Sequence, residues 1–97
     1  MKEEIQAIII DTVNDLNEEL ENENLVNPTS LTKLYGGDGA LDSLALVSLI
    51  TDIEETISEK FNKDIVLADE RAMSARTSPF RSIESLSNYI EQLLNEE

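Results

Sequence analysis

The chain has 97 residues, enough for one domain with a single modest core. Its 21 acidic and 7 basic residues leave a net charge of −14, which argues against nucleic-acid backbones and anionic membrane surfaces as partners and either steers the chain toward basic proteins or simply keeps a small protein soluble. The absence of Cys excludes disulfides, thiolate chemistry and Cys-based zinc sites, and without His there is no ready general base.

The apolar residues are mostly Ile and Leu, and the only aromatics are two Tyr and two Phe, which suits helix packing better than a β-sandwich. All three glycines fall between Gly36 and Gly39, so few turns are signalled and the elements should be few and long. Met1-Lys2-Glu3-Glu4 is acidic, and the apolar run Ala7 to Ile10 is short and followed by Asp11. Neither a secretory leader nor a membrane-spanning segment is expected, which fits a cytoplasmic protein.

The first helix is predicted from Lys2 to about Glu21. Ile5, Ile8, Ile9, Val13, Leu16 and Leu20 recur at helical spacing, and Glu4, Asp11, Asp15, Glu18 and Glu19 cover the opposite side. That face reads as solvated rather than metal-binding. A long connection follows, from Asn22 to Leu41. Asn27-Pro28-Thr29-Ser30 signals a turn, and a short helical turn is expected over 30–34. Leu31, Leu34 and Tyr35 are expected to dock on the core. Gly36-Gly37-Asp38-Gly39 lacks the Gly-Lys-Ser/Thr ending of a P-loop and the alternating acids of a calcium loop.

The second helix should begin with Asp42 as N-cap and run to about Lys60. Leu41 and Leu46 fall at the N′ and N4 positions, where they can form a hydrophobic staple. Leu46, Ile50, Ile53 and Ile57 make the inner stripe, flanked by Leu49. Ile65-Val66-Leu67 is too short to classify by period. Asp69 to Met73 reads as a short third helix, and 74–81 as a loop in which Pro79 keeps Ser78 out of helical geometry. Ser82 then caps a last helix to about Leu94, with Ile83, Leu86, Tyr89, Ile90 and Leu93 inward. Arg71, Arg76 and Arg81 are the concentrated cations; pairing with nearby acids is expected, with contact to a partner or to a phosphate group as the alternatives. The fold class is all-α: a small four-helix bundle of three longer helices and one short one, with a long loop between helices 1 and 2.

The chemistry-bearing motif is Leu41-Asp42-Ser43-Leu44. With Asp42 as N-cap, Ser43 falls at N1, where the helix's partial positive end and unpaired N–H groups favour an anion. No base accompanies the serine, so the chain is read as a non-enzyme. A phosphodiester on the Ser43 hydroxyl would sit in that field, and Leu44 and Val47 offer an attached chain an apolar surface.

Asp42-Ser43-Leu44, an apolar acid-studded helix, a short acidic segment and a capped final helix containing Tyr89-Ile90 together resemble the acyl carrier protein family over nearly the whole chain, 1–97. The resemblance implies that Ser43 is the attachment site for 4′-phosphopantetheine, transferred from coenzyme A by a phosphopantetheinyl transferase. The arm's thiol would then hold acyl groups as thioesters. It further implies partner contacts through Leu44 and Val47. An acidic surface of Asp42, Asp52, Glu54, Glu55, Asp69 and Glu70 would face acyl-loading and acyl-processing enzymes with basic docking surfaces, the carrier acting as a monomer. Family members often carry acids two and five residues after the serine, where this chain has Ala45 and Ser48. With the unusual segment Ala68 to Arg81, that departure points to a specialised, free-standing member. The alternatives are an acidic helical interaction module without a prosthetic group, and an aminoacyl or peptidyl carrier.

Overall fold

A computed structural model describes residues 2–35, 39–67 and 79–96. Among them the chain forms three α-helices and no strand: α1 (Lys2–Leu20), α2 (Ser43–Phe61) and α3 (Ile83–Glu96). The short helix expected over Asp69 to Met73 lies outside the described residues.

In α1 the 3.6-residue repeat buries Ile5, Ile8, Ile9 and Val13. Thr12 shares that face and satisfies its hydroxyl by donating to the Ile8 carbonyl at 2.7 Å. The expected inner stripe is too long by one turn. Leu16 only packs against the core's edge, and Leu20 is 40% exposed. The sequence period continues past the point where α1 still has neighbours to cover it. The helix ends as the chain enters a left-handed conformation at Glu21 (φ 51°), whose amide still bonds the Asn17 carbonyl at 2.8 Å.

The connection from α1 to α2 departs from the sequence reading. Its helical turn is a 3₁₀ turn at Glu23–Leu25, which buries Leu25, and not one over 30–34. Within 30–35 the backbone makes a single local turn, Thr32 N to the Thr29 carbonyl at 3.0 Å, and otherwise pairs mainly with 80–84. Lys33 forms an antiparallel bridge with Ser82. The Leu34 amide donates to the Arg81 carbonyl (2.8 Å) and Tyr35 to Phe80 (3.1 Å). In return Ile83 donates to Thr32 (3.2 Å) and Glu84 to Ser30 (2.8 Å). With the Leu34 and Tyr35 amides so engaged, the i→i+4 bonds of a helix over 30–34 cannot form. The same pairing buries Leu34 and Phe80, packs Tyr35 on the core, and leaves Leu31 73% exposed, contrary to the expectation that Leu31 docks.

Helix α1 packs against both α2 and α3, whereas no Cα pair of α2 and α3 comes within 8 Å. The connections supply much of the remaining core: Leu25, Leu34, Leu41, Ile65, Leu67 and Phe80. After α2 ends at left-handed Asn62, Ile65 and Leu67 point inward and Val66 outward, the two-residue alternation of extended backbone. Lys63 Nζ donates to the Leu94 carbonyl at 3.1 Å, supplying a cation to the C-terminal end of α3. In α3, Ile83, Leu86 and Ile90 are buried as expected. Tyr89 and Leu93 are half-buried, and Leu94 joins the core at 2% exposure although the sequence reading had not turned it inward. No helix among the described residues is long and apolar enough to cross a membrane.

Candidate functional site at the start of the second helix

The loop into α2 is held by contacts that local sequence does not announce. The Leu41 amide donates to the Leu34 carbonyl at 2.8 Å, closing the loop between them. Gly39 sits inside that closure. A Cβ there would lie 2.6 Å from Tyr35 Cα and 2.7 Å from the Leu34 carbonyl oxygen, both backbone atoms that cannot swing away. Glycine is therefore required for close approach, a stronger demand than the access for a modifying enzyme that a Gly-rich stretch suggests. Asn22 acts from the other side. Its Nδ2 donates to the Ala40 carbonyl at 3.2 Å, while its Oδ1 accepts from Asn24 N at 2.8 Å and caps the 3₁₀ turn. Nothing local marks Asn22 for this role, because its partner lies 18 residues away.

These ties deliver Asp42 in extended geometry (φ −85°, ψ 178°). Its Oδ1 accepts the Ala45 amide at 2.8 Å, and its carbonyl accepts Leu46 N at 2.9 Å, the bonding of an N-cap. Leu41 and Leu46 on either side are buried in the same core and anchor the helix entry. The cap uses one of the orphan donors of the first turn. Among the described residues, the Ser43 and Leu44 amides and the Ser43 hydroxyl have no hydrogen-bond partner.

Ser43 is the first residue of α2 and is exposed. Leu44 beside it is 80% exposed and Val47, one turn on, 48%. Neither belongs to the inner stripe of Leu46, Leu49, Ile50, Ile53 and Ile57. Further along the same outer face come exposed Asp52 and Glu55, with Glu54 at its half-buried edge. The structure thus places Asp42, Ser43, Leu44, Val47, Asp52, Glu54 and Glu55 on one helix. Asp69 and Glu70, the remaining acids expected on this surface, lie outside the described residues.

The electrostatics of this end differ from those of the other helices. Helix α1 carries Glu3 and Glu4 in its first turn, and α3 carries Glu84. The first turn of α2 carries no acid, so only the Asp42 cap opposes its partial positive charge. No group of three or more Asp or Glu side chains among the described residues is arranged to hold a metal ion. Compared with known proteins, no family model, no curated protein and no solved structure matches this chain. The geometry of the site is what speaks to its function.

Proposed function

We propose that this chain is an acyl carrier protein whose Ser43 bears 4′-phosphopantetheine. The observation that carries the reading is the state of the Ser43 side chain: exposed, free of hydrogen bonds among the described residues, and fixed at the mouth of a 19-residue helix. A hydroxyl so placed is open to an incoming transferase. The two unpaired amides beside it and the helix's positive end favour the phosphodiester that results. Gly39, Asn22 and Asp42 hold the oxygen in place. Exposed Leu44 and Val47 give the arm an apolar strip on which to lie. The prosthetic group supplies a terminal thiol that this Cys-free chain lacks, and thioester carriage of acyl groups becomes possible there.

In this reading the chain is a substrate and carrier rather than an enzyme. Its partners are a phosphopantetheinyl transferase and acyl-loading or acyl-processing enzymes whose basic surfaces meet Asp52, Glu54 and Glu55, with Asp69 and Glu70 extending that surface. The four-helix form of the bundle, with its short helix over 69–73, a monomeric state and a cytoplasmic setting belong to the same proposal. Co-expression with a transferase should add one phosphopantetheine to the wild type and none to Ser43→Ala, with both proteins equally folded. No adduct with any of several transferases would remove the carrier reading and leave the acidic interaction module.

A further inference from the structure

A groove of about 530 Å³ opens where the Lys33–Ser82 bridge meets α3. Its walls include Lys33, Arg81, Ser82, Ser85, Asn88 and Gln92. The composition runs against the rest of the chain. Acids outnumber bases 21 to 7, yet no carboxylate lines the groove among the described residues, while two of those seven cations do. Glu84 and Glu91 lie on the same helix and are not part of its lining.

Backbone pairing brings the two residues that carry these cations onto neighbouring segments of the same groove. Leu34 N donates to the Arg81 carbonyl and Ile83 N to the Thr32 carbonyl, on either side of the bridge that carries Lys33. Among the described residues neither Lys33 nor Arg81 pairs with an acid, contrary to the pairing expected for Arg81. Ser82 and Ser85 are occupied with each other and with the Pro79 carbonyl, so they shape the wall. The exposed Asn88 amide remains as a donor.

We propose that this groove binds a compact dianion of the phosphate type. Lys33 and Arg81 supply the two compensating charges and Asn88 donates a hydrogen bond; the start of α3 adds nothing, because its first amides are bonded and Glu84 sits in its first turn. The number of charges decides for phosphate over a simple carboxylate: one negative charge leaves half of the pair uncompensated. The volume is that of a small-molecule site, which runs from about 300 to 1,000 Å³. Glu84, one turn before Asn88, lies within the screening length of about 8 Å at physiological salt and opposes the pair, whereas acids farther off are damped.

The test is a titration of the full ¹⁵N-labelled chain with inorganic phosphate, with a phosphate monoester (glycerol phosphate), and with acetate and chloride at matched ionic strength. Saturable shifts confined to residues 33, 81, 82 and 88 are expected with the phosphates alone. Tighter binding of the monoester would identify an organic phosphate as the natural source, and equal or weaker binding the free ion. Lys33→Ala and Arg81→Ala should each weaken binding about tenfold while the spectra stay dispersed, because the bridge is made by backbone. Ser43→Ala should bind as the wild type does, which separates this site from the carrier reading. Non-saturating shifts matching those of chloride, equal saturation by acetate, or unchanged binding in both cation variants would each overturn the proposal.

Discussion

Helices α2 and α3 begin alike and finish their first turns differently. Each follows a loop, each has a short polar N-cap, and each has a serine within its first turn. At α3 the serines consume one another. Ser82 Oγ accepts the Ser85 amide at 3.2 Å, Ser85 Oγ accepts the Ser82 amide at 3.0 Å, and the Ser85 hydroxyl donates to the Pro79 carbonyl at 2.8 Å. Glu84 adds a negative charge to the same turn. At α2 the cap is an aspartate, the serine comes after it rather than serving as it, and the first turn has no acid. The first arrangement finishes a helix; the second leaves a hydroxyl and two amides open to solvent. A serine at a helix start therefore carries no functional message by itself, and what its oxygen already bonds decides the matter.

Crossed substitutions test that contrast. The largest effect is expected from Ser43→Ala, which should abolish phosphopantetheine attachment and change stability by no more than about 0.5 kcal/mol, as for an exposed residue without bonds. An intact mass and a denaturation midpoint read both quantities. Ser85→Ala should do the reverse, keeping the attachment. Gly39→Ala should come next, at about 1–3 kcal/mol of destabilisation, because the added methyl meets the backbone of Leu34 and Tyr35. Urea unfolding measures it, and a neutral result would mean the loop yields freely. Asp42→Ala should cost about 1 kcal/mol through a lost cap, and Ser85→Ala about as much through its lost bonds to the Ser82 amide and the Pro79 carbonyl, but only Asp42→Ala should also slow the transferase, since only that cap borders the open serine. Smallest is Glu21→Gly, expected to stabilise by about 0.5–1 kcal/mol by relieving a left-handed glutamate, seen as a raised thermal midpoint.

The helices were readable because their evidence is local. The Ile and Leu spacing of α2, the Asp42 cap and the Ser82 cap sit within a few residues of what they control, and the expected ends fall within a residue or two of those observed. The connection between α1 and α2 was not readable in the same way. Its conformation is decided by pairing with 80–84, far along the chain, and no periodicity within 30–35 encodes that partner. Leu31 and Leu20 looked like core residues because apolarity signals a tendency to be covered without saying whether a neighbour is there to do it. The candidate site divides along the same line. Ser43, its cap and the outward-facing Leu44 and Val47 follow from helix phase, whereas the hold of Asn22 on Ala40 and the tight seat of Gly39 depend on tertiary contacts.

The carrier reading is tested most directly by the intact mass of the protein purified from its native host, with fragmentation to locate any added group. One phosphopantetheine on the peptide containing Ser43, with or without an acyl load, is the predicted result. A native protein with an unmodified Ser43, recovered under conditions in which other carriers of that host keep their arms, would contradict it.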